Sequence, residues 1–332
     1  MVRATIEEVA AAAGVSRSTV SRVVNGSTSV SPEALAAVQD AIAQLHYVPN
    51  PAARTLASRQ TNAIALVVPE DTTRFFGDPF FATIVSGISA RMTRSDYILN
   101  LLIASEEGGA KTAGFVRNGG VDGAIIVSHH TSDSFVDRIA EAVPVVFGGR
   151  PVRARPGDYV VDVDNVLGGR MATQYLLDRG HRRIATISGS LSMPAAVDRV
   201  QGFRDALADA GIPPAAELDG DFTEEGGAEA ARRLLAAGSP LPDAVFVASD
   251  LMARGVMRVL RSAGIRIPED VAIVGFDDSQ VAVAVDPPLT TVQQPMYAQG
   301  EAMASVLLDV LAGREAPRST ILPTELVVRA SA

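Results

Sequence analysis

The sequence predicts an N-terminal three-helix helix-turn-helix head joined to a two-lobed α/β core with parallel sheets. Helix starts, a tight glycine turn and helix stops crowd into the first 46 residues. From Asn62 onward, short Val- and Ile-rich runs alternate with stretches of helical length, the rhythm of a doubly wound α/β body. A proline-bracketed segment separates the two patterns. The domains are therefore read as 1–46, the head; 47–61, a hinge with a short helix; and 62–332, the core. Within the core, lobe 1 covers approximately 62–161 plus 293–320, and lobe 2 approximately 162–290 plus 323–332.

In the head, Thr5-Ile6-Glu7-Glu8 has the form of a capping box, in which the Thr hydroxyl and the Glu carboxylate satisfy each other's backbone donors. A first helix follows to about Ala13, Gly14 turns the chain, and Ser16 caps a second helix that Asn25-Gly26 stops. Ile6, Val9, Ala10, Val15, Val20 and Val23 or Val24 supply a shared core. Ser31-Pro32-Glu33 opens a third helix with Leu35, Val38, Ile42 and Leu45 on one face. Two short helices about a glycine turn make a helix-turn-helix. Arg17, Ser18 and Arg22 then suit base edges in a major groove. Thr19, Ser21 and Asn25 suit phosphates, which position without specifying. The same face would also serve a three-helix interaction module.

In the hinge, Pro49 and Pro51 flank Asn50, a helix cap with proline at the first helical position. Ala52, Ala53, Leu56 and Ala57 share one helical face, while Arg54 and Arg59 lie off it. Such a short helix is marginal alone in water, so it orders only when something binds it.

In the core, buried parallel strands are expected at Ala63 to Val68, Tyr97 to Ile103, Val121 to Val127, Val143 to Phe147, Tyr159 to Val163, Arg183 to Ser188, Asp243 to Ala248 and Val271 to Phe276. Helices are expected at Phe81 to Arg94, Gly168 to Arg179, Arg199 to Ala210 and Leu251 to Ala263. Ligands bind at the carboxyl ends of strands in such sheets. Those ends carry Asp78 to Phe81, Ser128-His129-His130, Arg150, Asp164-Asn165, Ser249-Asp250, Asp277-Asp278 and Gln293-Gln294. Carboxylates, an arginine and aromatic faces suit a polyhydroxylated ligand such as a sugar. The bland alternative makes Asp164 and Asp277 helix caps and Arg199 a structural ion pair.

Composition removes several classes. The absence of cysteine leaves neither disulfides nor thiolate metal sites, which fits a reducing compartment. Neither a signal segment nor an apolar run of membrane-spanning length is present, so a cytoplasmic protein is expected. The net charge of -9 argues against a general nucleic-acid coat. Its distribution does not: residues 1–60 carry five Arg against four acids, and the rest 24 Lys and Arg against 34 acids, an asymmetry that points to a specific contact. Lys111 is the only lysine, and Gly108-Gly109-Ala110-Lys111-Thr112 lacks the glycine a phosphate loop needs. Nucleophile-elbow, metalloprotease and dinucleotide motifs are missing as well, so neither an enzyme nor a cofactor is expected. His129 and His130 without further ligands do not make a metal site. A solute-binding protein and a sugar-modifying enzyme with an accessory head are the rival readings.

The combination of Thr5 to Ala10, Gly14-Val15-Ser16, Thr19 to Asn25 and Tyr47-Val48-Pro49-Asn50 resembles the lactose-repressor (LacI/GalR) family of bacterial regulators. Val121-Asp122-Gly123, Asp164-Asn165, Gly180 to Ala185, Asp198-Arg199 with Gly202-Phe203, Val274 to Asp278 and Pro287 to Val292 continue the likeness in the family's order. The resemblance implies a periplasmic-binding-protein-like core and a homodimer reading a palindromic operator. It further implies a repressor switched by a small-molecule effector, a sugar, in the interlobe cleft. The implied DNA-facing set is Thr5, Ser16, Arg17, Ser18, Thr19, Arg22 and Asn25, with Asn50, Ala53 and Leu56 from the hinge, Leu56 as a minor-groove wedge. The implied effector set is Phe80, Phe81, Asp164, Arg199, Phe222 and Asp277, to which the strand ends add Ser128, Arg150 and Asp250. Gly148-Gly149-Arg150 departs from members with an acid before that arginine, Ser249 replaces a frequent Asn, and Met193 and Ala195 are apolar where some relatives are polar. No heptad tail follows, so a tetramer is not expected.

Overall fold

A computed structural model describes residues 4–24, 29–48, 60–238 and 240–332. The chain forms two compact units, Met1–Thr61 and Asn62–Ala332. In the first, α1 (Ile6–Ala12) begins at the capping box: Thr5 N–H donates to Glu8 Oε2 at 2.7 Å, and Glu8 N–H to Thr5 Oγ1 at 3.3 Å. Gly14, at φ +65°, turns the chain into α2 (Arg17–Val24), whose Thr19 N–H donates to Ser16 Oγ at 3.2 Å. Ser31 caps α3 (Pro32–Gln44). Val9, Ala10, Val20, Val38 and Ala41 are the buried centre. On α3 the expected apolar stripe is narrower than its spacing suggests: Leu35 and Leu45 are exposed, and Ala41 takes the inward place. Two short helices cover only a thin strip of the third. The hinge helix expected around Asn50, Ala53 and Leu56, and Asn25 at the end of α2, lie outside the described residues.

The second unit holds two six-stranded sheets. The first has the order β11-β5-β4-β3-β1-β2, from Ser319–Leu322, Tyr159–Val163, Val145–Gly148, Gly123–Val127, Ala63–Val68 and Ile98–Ile103. The second has the order β12-β10-β9-β8-β6-β7, from Glu325–Val327, Thr290–Gln293, Ala272–Asp277, Ala244–Val247, Ile184–Ser188 and Ala216–Asp219. All neighbours run parallel except β10 and β12. The chain passes between the sheets after β5, after β10 and between β11 and β12. Central strands such as β1, β8 and β9 are almost wholly buried, as continuous Val and Ile runs covered on both faces must be.

The sequence expectation omitted β7, β10, β11 and β12. Three of these are edge strands, β7 and β11 with alternating exposure and β12 only three residues long. In the first sheet, helix Met296–Leu311 packs on helix Pro79–Met92. In the second, helix Asn165–Asp178 packs on helix Pro194–Asp209. The contact in both pairs is backbone on backbone: in the first, a Cβ at Gly87 would collide with the Tyr297 carbonyl. In the second, a Cβ at Gly169 would collide with the Arg199 carbonyl, and one at Gly202 with the Val166 carbonyl. That close approach sets the position of Arg199.

Candidate nucleic-acid interface and ligand cleft

On the head, α2 presents Arg17, Ser18 and Arg22 to solvent. Arg17 Nε lies 3.2 Å from Glu7 Oε1, but its side chain remains 72% exposed, so the guanidinium is free to exchange that partner at little cost. Ser16 Oγ lies 2.7 Å from Ser18 Oγ and 2.9 Å from Thr19 Oγ1. Thr5 and Ser16 therefore serve as helix caps, and the arginines carry the outward positive charge of the helix. A short helix with an exposed basic face and a buried Val20 on the opposite side is the shape that enters a major groove.

The core carries a cleft with about 640 Å³ of empty space, lined by residues at the carboxyl ends of strands in both sheets. From the expected effector set, Phe80, Phe81, Ser128, Arg199, Phe222 and Asp277 line it together. Arg199 is its anchor, 5% exposed. Nε donates to Asn165 Oδ1 at 2.9 Å and Nη1 to the Ala248 carbonyl at 2.6 Å. The guanidinium lies 3.6 Å from the centre of the Phe276 ring and 5.7 Å from that of Phe222. Asp277 Oδ1 stands 3.8 Å from Arg199 Nη1 and accepts from Gln294 Nε2 at 2.6 Å. Burial raises the Asp277 carboxyl well above the ordinary range against the pull of Arg199, and the same burial lowers Arg199. A hydroxyl-bearing ligand would give both groups further partners.

Backbone strain gathers here as well. Ser128, Asp221, Phe222, Asp277 and Asp278 all have positive φ, with Asp277 at 117°. Non-glycine residues persist there only when their surroundings hold them, and such positions cluster at functional sites.

Three members of the expected set do other work. Asp164 is exposed and caps helix Asn165–Asp178, accepting from Leu167 N–H at 2.8 Å. Asp250 is fully buried outside the cleft lining, accepting from Thr291 Oγ1 at 2.6 Å and Ser279 N–H at 2.7 Å, and burial pushes its carboxyl up to about 7. Arg150 forms a forked pair with Asp198, at 3.2 and 2.8 Å, which ties the loop after β4 to helix Pro194–Asp209. Asp78, Asn165, Ser249, Met193, Ala195 and Gln294, noted in the sequence but not placed in the set, line the cleft, as do Arg74, Asp162 and Gln299. Asp162 had a legible signal, a lone carboxylate inside the apolar run Tyr159–Val163. It accepts from Arg150 N–H, Val163 N–H and Asn165 Nδ2 at 2.8 to 3.1 Å, and burial raises its pKa. Arg74, beside two phenylalanines in a short helix, had none.

His130 bridges Glu70 at 3.0 Å and Ser192 at 2.6 Å. His129 is buried beside Phe147, and burial lowers its pKa to about 4. Among the described residues no cluster of His, Asp or Glu could hold a metal, and no helix is long and apolar enough to cross a membrane.

Residues 5–50 match the family described as bacterial regulatory proteins, lacI family, and residues 173–332 match the periplasmic binding protein-like domain. The HTH-type transcriptional regulator CelR of Thermobifida fusca is 46% identical over 338 residues, 99% of this chain and 98% of that protein. The chain belongs to the lacI family. A solved complex of the transcriptional regulator CelR with cellobiose aligns at a TM-score of 0.79 and 44% identity, covering 99% of this chain and 100% of that one. The lac repressor dimer bound to operator and an anti-inducer aligns at 0.84 and 29%, covering 99% of each chain. This lacI-family member is thus a sequence-specific DNA-binding regulator that acts through an effector-binding cleft, and not an enzyme.

Proposed function

We propose that this regulator is a cytoplasmic repressor that binds a palindromic operator as a homodimer and is switched by a sugar in the cleft. The observation that carries the sugar reading is the Arg199–Asp277 pair beside the ring of Phe222 in the cleft, with Asn165, Gln294 and Asp162 around it. Forked donors and carboxylate acceptors match vicinal hydroxyls, and an aromatic face matches the apolar face of a sugar ring. Cellobiose is the first candidate, because the CelR relative was solved with it. On the DNA side, Arg17, Ser18 and Arg22 read bases, Thr19, Ser21 and Asn25 hold phosphates, and Leu56, with Asn50 and Ala53 in the 47–61 hinge, wedges the minor groove at the operator centre. Support for this comes from the exposed basic face of α2 and from the operator-bound lac repressor dimer among the similar structures.

The test is operator selection with the full chain, followed by binding measurements with and without cellobiose. The proposal expects two half-sites related by a two-fold axis, and an operator affinity that changes with the sugar. Reciprocity then requires operator to change sugar affinity by the same factor. Selected sites without two-fold symmetry would sink the dimeric reading, and operator affinity unmoved by a sugar that binds the cleft would sink the switch.

A further inference from the structure

The two arginines of the cleft differ in how far the protein satisfies them. Arg199 has two short hydrogen bonds and an aromatic face. Arg74, on the short helix Thr72–Gly77 after β1, has an almost equally buried side chain, 11% exposed, but far poorer partners. Its Nε has no hydrogen-bond partner among the described residues. Glu70 Oε1 stands 3.3 Å away but out of alignment for a hydrogen bond, and that oxygen already accepts from Ser128 Oγ at 2.6 Å and His130 Nε2 at 3.0 Å. Across the cleft, Nη1 is 3.7 Å from Asp221 and Nη2 is 3.9 Å from Met193 Sδ, both beyond or at the limit of a useful contact. A guanidinium has five donors in a fixed fork, and leaving them unmet in a buried place is costly.

We infer that Arg74 is a specificity-determining residue of the effector site, its fork held toward the cleft by Glu70 and completed by oxygens of the effector. This rests on the effector reading above and extends it to the lobe 1 wall. Because Arg74 reaches from the β1 side toward Asp221 and Met193 at the ends of β7 and β6, a ligand bound to it also draws the two walls together. The preferred ligand therefore presents at least two adjacent oxygens to lobe 1 as well as to Arg199, which favours a sugar with hydroxyls on both sides over a small apolar ligand.

The test compares full-length wild type with Arg74→Ala and Arg74→Lys, by thermal melting without ligand and by calorimetric titration with cellobiose. The expected result is an unliganded Arg74→Ala that melts close to wild type: the ion pair with Glu70 is lost, but Ser128 Oγ and His130 Nε2 still serve that carboxylate, and the unmet donors of the guanidinium are lost with it. Its cellobiose affinity should fall at least about tenfold. Arg74→Lys should recover only part of this, since a single ammonium cannot reproduce the fork. An unliganded Arg74→Ala that melts several degrees lower would make Arg74 a structural residue and overturn the inference. Cellobiose binding equal to that of wild type would overturn it too. If wild type itself ignores cellobiose, the effector reading loses its first candidate, while the melting comparison still decides between a structural Arg74 and one reserved for a ligand.

Discussion

The two sheets of the core follow the same strand order, yet the cleft walls they build are finished to different degrees. On the lobe 2 side, Arg199, Asn165, the Ala248 carbonyl, Asp277 and Gln294 form a network over Phe276. On the lobe 1 side, Phe80 and Phe81 meet edge to face, while Arg74 stands with its Nε unmatched. One wall is preorganised, and the other keeps capacity for a ligand. In a binding cleft this division makes sense: a rigid wall lowers the ordering cost of binding, and an unfinished one makes closure depend on the ligand.

The sharpest way to break the comparison is to remove the finished arginine. Arg199→Ala strips Asn165 Oδ1 and the Ala248 carbonyl of a buried donor and opens a cavity over Phe276, so stability in urea should drop by about 2–4 kcal/mol, while Arg74→Ala stays near wild type. Equal losses would erase the distinction. Next comes the contact that positions Arg199. Gly202→Ala drives a methyl into the Val166 carbonyl and should cost about 1–3 kcal/mol, with a loss of cellobiose affinity alongside. Stability without affinity loss would mean that Arg199 does not depend on that crossing.

The third prediction uses protons. Burial raises Asp250 from 3.8 to about 7, so between those values the folded protein holds a proton that the unfolded chain has released. Stability must then fall as pH rises through that window, by at most about 1.4 kcal/mol per pH unit from this group. Asp162 and Asp277, also raised, add to the same slope. Asp250→Asn should flatten the stability profile between roughly pH 4 and 7, and a slope identical to wild type would show that the buried carboxyl ionises without penalty. The smallest effect is expected at Arg150. Its pair with Asp198 is forked but half exposed, so Arg150→Ala should cost no more than about 1 kcal/mol, less so in high salt.

Much of this was legible in advance where local chemistry and burial coincide. The capping box at Thr5, the turn at Gly14 and the apolar runs of β1, β8 and β9 appear as expected, because each depends on neighbours along the chain. The edge strands β7 and β11 escaped because half of their residues face solvent and resemble loop. In the cleft, the resemblance implies Arg199, Asp277 and Asp164 alike, and the strand ends add Arg150, yet of these only Arg199 and Asp277 line it. The helix that begins at Asn165 takes the Asp164 carboxylate as its own cap, and Asp198 takes Arg150. Asp250 points away from the cleft toward Ser279 and Thr291 for the same kind of reason, a nearer donor.

Patterning along the chain was therefore sufficient for the head, the alternation of strand and helix and the class of chemistry at the strand ends. Only packing decided which of those polar groups stay available. Hydrogen-bond saturation depends on partners far apart in sequence, as when Asn165 and Ala248 satisfy Arg199 while Glu70, already engaged by Ser128 and His130, leaves Arg74 unmatched.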